Sequence, residues 1–206
     1  MKKVLLINTH LTYPNWSEGL LNDAFNQKAK DFFESKDFEI IETKVEDGYD
    51  ADEEVEKHLQ ADIVILQTPV NWFGAPWIYK KYVDEVFNSG LHSQKFLSGD
   101  GRTREDLTKQ YGTGGKMQGK KFMISATFNA PAESFDNPLQ SLMQGKGTED
   151  LFLNITSNYR FCGVEILKVY NCFDIFKDGD IAKDLKNYPK HLEKIIENKH
   201  LLILED

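Results

Sequence analysis

The residues best suited to chemistry lie in three short segments. Thr68-Pro69-Val70-Asn71-Trp72-Phe73-Gly74-Ala75-Pro76-Trp77 gathers three large rings about two prolines. A polar loop would be the default, because exposed rings promote association unless they cover something. A flat ring system with hydrogen-bonding edges would suit them: the rings pack on its faces while N–H groups of a rigid turn address its polar atoms. Plugging the top of a core, or a subunit interface, would occupy the same rings. Trp16-Ser17-Glu18-Gly19-Leu20-Leu21-Asn22 offers a Ser to cap a following helix, or free N–H groups at Glu18 and Gly19 for a phosphate. The segment alone suits both. Thr127-Phe128-Asn129-Ala130-Pro131 offers a carboxamide and backbone groups to a ligand, or an ordinary turn of the Asn-Pro kind.

Other chemistries are disfavoured. Gly112-Thr113-Gly114-Gly115-Lys116-Met117-Gln118-Gly119-Lys120-Lys121 imitates a nucleotide phosphate loop, but Lys121 stands where Ser or Thr is needed, and a strand follows instead of a helix. The dinucleotide fingerprint G-x-G-x-x-G is missing from the Asn8–Asn22 loop. The five histidines (His10, His58, His92, His191 and His200) show no paired spacing, so solvated or capping roles are expected of them. Cys162 and Cys172 make neither a disulfide framework nor a metal-ligand cluster, and two buried thiols in a reducing compartment are expected.

Composition bounds the partners. The 25 Lys+Arg against 33 Asp+Glu leave a net charge of −8, a poor match to nucleic acid or an anionic membrane. Arg102, Arg104 and Lys109 collect in one loop, as a solvated face or as contacts for a phosphate. The 14 Phe, 8 Tyr and 3 Trp can fill a core with rings to spare for a planar ligand. Met1-Lys2-Lys3 and Val4-Leu5-Leu6-Ile7 begin like a secretory signal, but Asn8-Thr9-His10 ends the run early. No segment approaches the roughly 20 apolar residues of a membrane helix. A cytoplasmic protein, not membrane-embedded, is expected.

These segments need elements to position them. Strands are expected at 3–7, 38–43, 61–66, 121–127 and 165–170, and helices from Gly19 to Phe33, 53–59, 76–87, 151–161 and from Tyr188-Pro189 through Ile196. Residues 91–119 lack periodicity and read as a lid or binding loop. Strict alternation of strand and helix predicts a single α/β domain over 1–206, with a parallel sheet covered on both faces. Five strands favour the flavodoxin-like order 2-1-3-4-5. In such a sheet the ligand lies beyond the carboxyl ends of the strands, so the loops 8–22, 68–75 and 127–131 and the glycine-bearing loop share one edge.

With that frame in place, Gln67-Thr68-Pro69, Trp72-Phe73-Gly74-Ala75-Pro76-Trp77, Lys80-Lys81-Tyr82, Asp84 and Val86-Phe87 resemble the flavodoxin-like NAD(P)H:quinone reductases, in particular the bacterial modulator of drug activity B type. The likeness continues through Asp100-Gly101-Arg102-Thr103-Arg104, Lys109-Gln110-Tyr111-Gly112-Thr113-Gly114-Gly115, Gln118-Gly119-Lys120-Lys121 and Asn129-Ala130-Pro131. It includes Ser17, Gly19 and Leu21-Asn22-Asp23 early on and Phe161-Cys162-Gly163 late, and weakens after Tyr170.

The resemblance implies a homodimer with one FAD per subunit, FMN being the less expected flavin, and an active site near the dimer interface. Ser17, Gly19, Leu21 and Asn22 would address the pyrophosphate side. Pro69, Asn71, Trp72 and Phe73 would line the isoalloxazine with Thr127, Phe128, Asn129 and Ala130. Tyr111 and Gly114 would complete the pocket from the long loop, across the dimer or within one chain, with Tyr111 also a contact on the substrate side. Asn71 replaces a frequent second aromatic of the branch, and Phe128 a frequent Trp, which bears on the quinone slot more than on flavin binding. The implied reaction is two-electron hydride transfer from NADPH or NADH through flavin N5 to a quinone. No side-chain nucleophile or metal is then required. Relatives of the fold also serve as ancillary subunits of membrane transport systems, and the apolar 200–204 tail would suit docking. A one-electron carrier is disfavoured, because true flavodoxins have a phosphate loop richer in Ser, Thr and Gly.

Overall fold

Strands that are apolar on both faces belong at the centre of a covered sheet, and the structure, a computed structural model, arranges them so. It describes residues 1–197, and the 200–204 tail lies outside the described residues. β1 (Lys3–Asn8), β3 (Ile63–Pro69) and β4 (Lys121–Thr127) are buried almost throughout. β2 (Glu39–Lys44), with its mixed pattern, takes the edge. With β5 at Glu165–Ile166, all pairings are parallel, in the expected order β2-β1-β3-β4-β5.

Alternation along the strands separates two apolar layers. Val4, Leu6, Ile63, Ile65 and Met123 meet α1 (Leu20–Glu34) and the last helix, α6 (Ile181–Ile196). Leu5, Ile7, Val64, Leu66 and Ile124 meet α2 (Ala51–Gln60), α3 (Trp77–His92) and α5 (Leu153–Phe161), the last preceded by the short α4 (Thr148–Leu151).

The fifth strand differs from expectation. It is divided into β5 (Glu165–Ile166) and β6 (Tyr170–Cys172), both parallel to β4. Leu167–Val169 stand opposite only Met123 and Ile124, so one extra residue is accommodated as a bulge. The bulge resets the side-chain alternation: Val169 faces the α3 layer, while Tyr170 and Cys172 face α1 and α6. The strand runs two residues past Tyr170 and, because of the extra residue, sets Cys172 in place of Asn171 at the level of Thr127.

Two other expectations change. α6 begins at Ile181, capped by Asp180 Oδ1, which accepts from the Lys183 N–H at 3.0 Å, and Pro189 lies inside it. An internal proline costs roughly 3 kcal/mol. The buried positions Tyr188, Leu192 and Ile195 lie in one stripe with Ile181 and Leu185, and this stripe packed on α1 outweighs the cost. The segment after α3 is not a free loop. Lys116 N–H donates to the Phe96 carbonyl (2.8 Å), Ser98 N–H to Gly114 (3.0 Å) and Met117 N–H to Cys162 (2.9 Å), with Phe96 and Met117 buried.

One buried polar cluster stands in the α2–α3 layer. The Glu54 carboxylate accepts from Thr43 Oγ1 (2.8 Å), Lys57 Nζ (2.6 Å) and Tyr82 OH (2.6 Å). His58, expected to be solvated or capping, is instead fully buried, with Nδ1 2.8 Å from the Glu54 carbonyl and Nε2 3.2 Å from Tyr159 OH. Burial pushes its pKa down to about 4. The unfolded chain therefore binds a proton at His58 below its usual value of 6.5 that the folded chain refuses. Stability from this group is complete above 6.5 and is lost as pH falls toward 4, by roughly 1.4 kcal/mol per unit. The urea midpoint should fall less steeply between pH 6.5 and 4.5 in His58→Gln than in the wild type. Identical slopes would contradict the assignment.

Candidate functional site

The chain leaving β1, β3 and β4 encloses a cavity of about 420 Å³ at the carboxyl edge of the sheet. This is the switch point, where open α/β sheets bind ligands. Its walls are Tyr13 and residues 15–19 with the first turn of α1, then Pro69–Asn71, then Thr127 and Asn129, and finally Ile175 and Phe176.

The first wall is set by a glycine. Gly19 is the N-cap of α1 at φ +83°, and a Cβ there would stand 2.6 Å from His10 Nδ1. Both the left-handed backbone and the close approach exclude other residues. Ser17, expected as a cap or a phosphate contact, does not cap the helix: its hydroxyl lies 3.1 Å from His10 Nε2. The reason is that His10 is drawn under the turn by its own N–H, which donates to Asn8 Oδ1 at 2.9 Å. Burial lowers the His10 pKa, against the opposing pull of Glu46 and Asp23. This histidine too departs from the solvated role expected of it.

With no side-chain cap, the first N–H groups of α1 stay open. Asp23 N–H is used by the Gly19 carbonyl (2.9 Å), so Leu20, Leu21 and Asn22 present theirs at the cavity wall. This is the positive end of a 15-residue helix, an anion-binding arrangement. The Asn22 carboxamide lies below it, its Oδ1 accepting from Gln67 Nε2 at 2.8 Å and standing 3.5 Å from Thr127 Oγ1.

The second wall ends in a tight turn. Asn71 N–H donates to the Gly74 carbonyl (2.8 Å) and Gly74 N–H returns to Asn71 (3.2 Å). The residues between them, Trp72 and Phe73, both have positive φ, at 48° and 64°. Two such residues in a row are the demand of a type I′ turn, which ordinarily selects Asn-Gly. Large rings there cost roughly 1–2 kcal/mol each. The strained turn throws both rings outward, Trp72 being 94% and Phe73 49% exposed, and Trp77 stands exposed nearby.

Of the residues singled out in the sequence, Ser17, Gly19, Leu21, Asn22, Pro69, Asn71, Thr127 and Asn129 meet at the cavity. Trp72 and Phe73 stand on the turn beyond Asn71. The Phe128 ring points the other way, buried against Phe135, Phe152 and Phe173, because successive side chains alternate between faces. Its N–H and carbonyl are engaged by Cys172 and Ile175, and the Ala130 carbonyl by Asp174 N–H. Tyr111 packs on Phe161, and Gly114 lines a second cavity between residues 98 and 114. Arg102, which also lines that cavity, is paired with Asp100 and lies over the Tyr111 ring.

Sequence reasoning missed Ile175 and Phe176, which close the cavity. Ile175 N–H is pinned to the Phe128 carbonyl at 3.1 Å, a position reached only because β6 runs on to Cys172. The bulge was the missing signal. Among the described residues no group of His, Cys, Asp and Glu could hold a metal ion, and no helix is long and apolar enough to cross a membrane.

Two substitutions test this local account. Trp72→Asn combined with Phe73→Gly relieves the turn, so the melting temperature should rise by about 2–4 °C for each kcal/mol recovered. An unchanged or lower value would mean that the turn is unstrained. Gly19→Ala should lower stability by roughly 1–3 kcal/mol through forced φ and contact with His10. Wild-type stability in that variant would refute the close packing.

Comparison with known proteins agrees with this geometry. The family model described as flavodoxin-like fold matches residues 2–196. The NADPH:quinone oxidoreductase MdaB of Haemophilus influenzae is 39% identical over 179 residues, 87% of this chain and 92% of the relative. A Klebsiella pneumoniae crystal structure superposes with a TM-score of 0.76 at 22% identity, over 95% of this chain and 85% of that one. General stress protein 14 of Treponema denticola, solved in complex with FMN, gives 0.63 at 16% identity over 95% and 98%. The 2-1-3-4-5 sheet, the family match over residues 2–196 and the 39% identity to the Haemophilus quinone oxidoreductase together place this chain in the flavodoxin-like family, in the branch that includes that enzyme.

Proposed function

We propose that the protein is an NAD(P)H:quinone oxidoreductase working in the cytoplasm as a homodimer with one FAD per subunit. The observation that carries this reading is the uncapped N-terminus of α1 opening on the same cavity as the rigid turn after Pro69. An acceptor-rich anionic chain on the first wall and a planar, polar-edged ring on the second are what a flavin nucleotide offers. The residues therefore fit the group.

Ser17, Gly19, Leu21 and Asn22 would hold the phosphate side. Pro69 and Asn71, with Thr127 and Asn129, would border the isoalloxazine. Trp72 and Phe73 would stand over the exchange site, where a nicotinamide and then a quinone stack in turn. Phe128 and Ala130 would support this wall from behind through their bonds to residues 172–175. Tyr111 and Gly114, which do not line the cavity within one chain, would reach it in the second subunit, and Tyr111 would meet the substrate. The exposed rings of Trp16, Trp72 and Trp77 would then be covered. Buried, unpaired Cys162 and Cys172 agree with a reducing compartment. When bound, the flavin would supply two-electron redox chemistry, in which NAD(P)H and a proton reduce the quinone to the hydroquinone. The chain's own part is to orient the stacking partners and keep water from the ring, with no catalytic nucleophile. FAD in preference to FMN follows from the sequence resemblance.

The test is to release and identify the flavin of the purified protein, then follow NADPH and NADH oxidation with menadione. Stoichiometric FAD and menadione-dependent oxidation of at least one nicotinamide are expected. A colourless protein that stays so after FAD is added would overturn the reading. Flavin that neither nicotinamide reduces would leave the cofactor site and remove the activity.

A further inference from the structure

We infer that Gln67 is a positioning residue that turns the Asn22 carboxamide so that its NH₂ group faces the cavity, making the floor under the α1 N-terminus a donor for an oxygen-rich part of the ligand. Asn22 is 5% and Gln67 1% exposed, so neither amide is free to reorient through solvent. Gln67 Nε2 donates to Asn22 Oδ1 at 2.8 Å, and Thr127 Oγ1 approaches the same oxygen at 3.5 Å. With its oxygen held from below, Asn22 has only Nδ2 to offer the cavity it lines. Nδ2 has no hydrogen-bond partner among the described residues, yet it is not a buried orphan, as an atom open to the cavity should be.

Gln67 is costly where it stands. It follows Ile63 and Ile65 on the same face of β3, at the level where the layer turns polar beside buried Asn8 of β1 and Ser125 of β4, and its own Oε1 is buried without a partner. An aliphatic residue there would carry no orphan oxygen. What glutamine alone adds is the donor that Asn22 uses. The donors contributed by Leu20, Leu21 and Asn22 backbone and by Asn22 Nδ2 then converge on one region. Their chemical complement is a phosphate oxygen or a sugar hydroxyl acting as acceptor. Naming the ligand as FAD rests on the functional reading above; the amide orientation does not.

The experiment is a double-mutant cycle on flavin-stripped protein titrated with FAD, using Gln67→Met, which keeps length and removes the donor, and Asn22→Ala. Each single variant should weaken FAD binding by about tenfold. The double variant should be no weaker than the weaker single, because Gln67 acts only through Asn22. Wild-type affinity in either single variant, or losses that multiply to about a hundredfold, would overturn the inference. A second measurement needs no variant. In the ¹⁵N-labelled wild type, the Gln67 side-chain amide should exchange slowly with and without FAD, while the Asn22 amide signals move when FAD is added. Rapid exchange at Gln67 before FAD is added would contradict the orientation. A wild type that takes up no FAD would remove the flavin reading, and slow exchange at Gln67 would still support the orientation.

Discussion

Everything at the carboxyl edge of the sheet depends on one close approach, the backbone of Gly19 against the ring of His10. It requires a residue without Cβ in the left-handed region, and it brings α1 down on the end of β1. Because the N-cap is a glycine, and the Ser17 hydroxyl two residues earlier lies against His10, the helix begins with no side-chain cap. An uncapped start is ordinarily a weakness, since its N–H groups lose a partner. Placed at the switch point, the same groups become the means of holding an anion.

The remaining walls are arranged about that fixed point by costs of a similar kind. The Trp72-Phe73 turn accepts two strained backbones to project two rings. Gln67 accepts a buried unpartnered oxygen at the level where β3 reaches the cavity. The bulge at Leu167–Val169 gives up ladder regularity and sets Cys172 opposite Thr127, ahead of the Ile175 and Phe176 that close the cavity. Each departs from what stability alone favours, and all gather at one edge, as expected of a site built for binding.

Much of this was legible before any coordinates. The apolar stretches Val4–Ile7, Ile63–Leu66 and Phe122–Ile124 read as covered strands, and the mixed run at 38–43 suits an edge, so the sheet order follows from periodicity and crossover rules. The second wall is legible because two prolines and clustered rings are anomalous in a loop, whereas Ser17 to Asn22 suit a plain cap as well as a phosphate and are assigned to the ligand by resemblance. What escaped reading was non-local. A one-residue bulge leaves no trace in composition, so the fifth strand read as one piece, and Ile175 and Phe176 had no reason to be singled out. Pro189 looked like a helix start because a single residue's propensity was weighed against a stripe whose partner, α1, lies far away in sequence. His10 and His58 read as polar surface residues because their partners, Ser17 with Gly19 and Glu54 with Tyr159, are brought together only by folding. The resemblance alone points Phe128 at the ligand, while the alternation of the chain turns its ring into the core.

The central claim is spatial: one cavity, with an anion-holding helix start on one side and a ring-bearing turn on the other. It is met most directly by the crystal structure of the purified protein with FAD, read for where the phosphates and the ring lie. The account predicts phosphate oxygens on the N–H groups of Leu20 to Asn22 and the isoalloxazine against Pro69–Asn71. Phosphates lodged instead among Arg102, Lys109 and Gly114, with the α1 terminus bare, would contradict it.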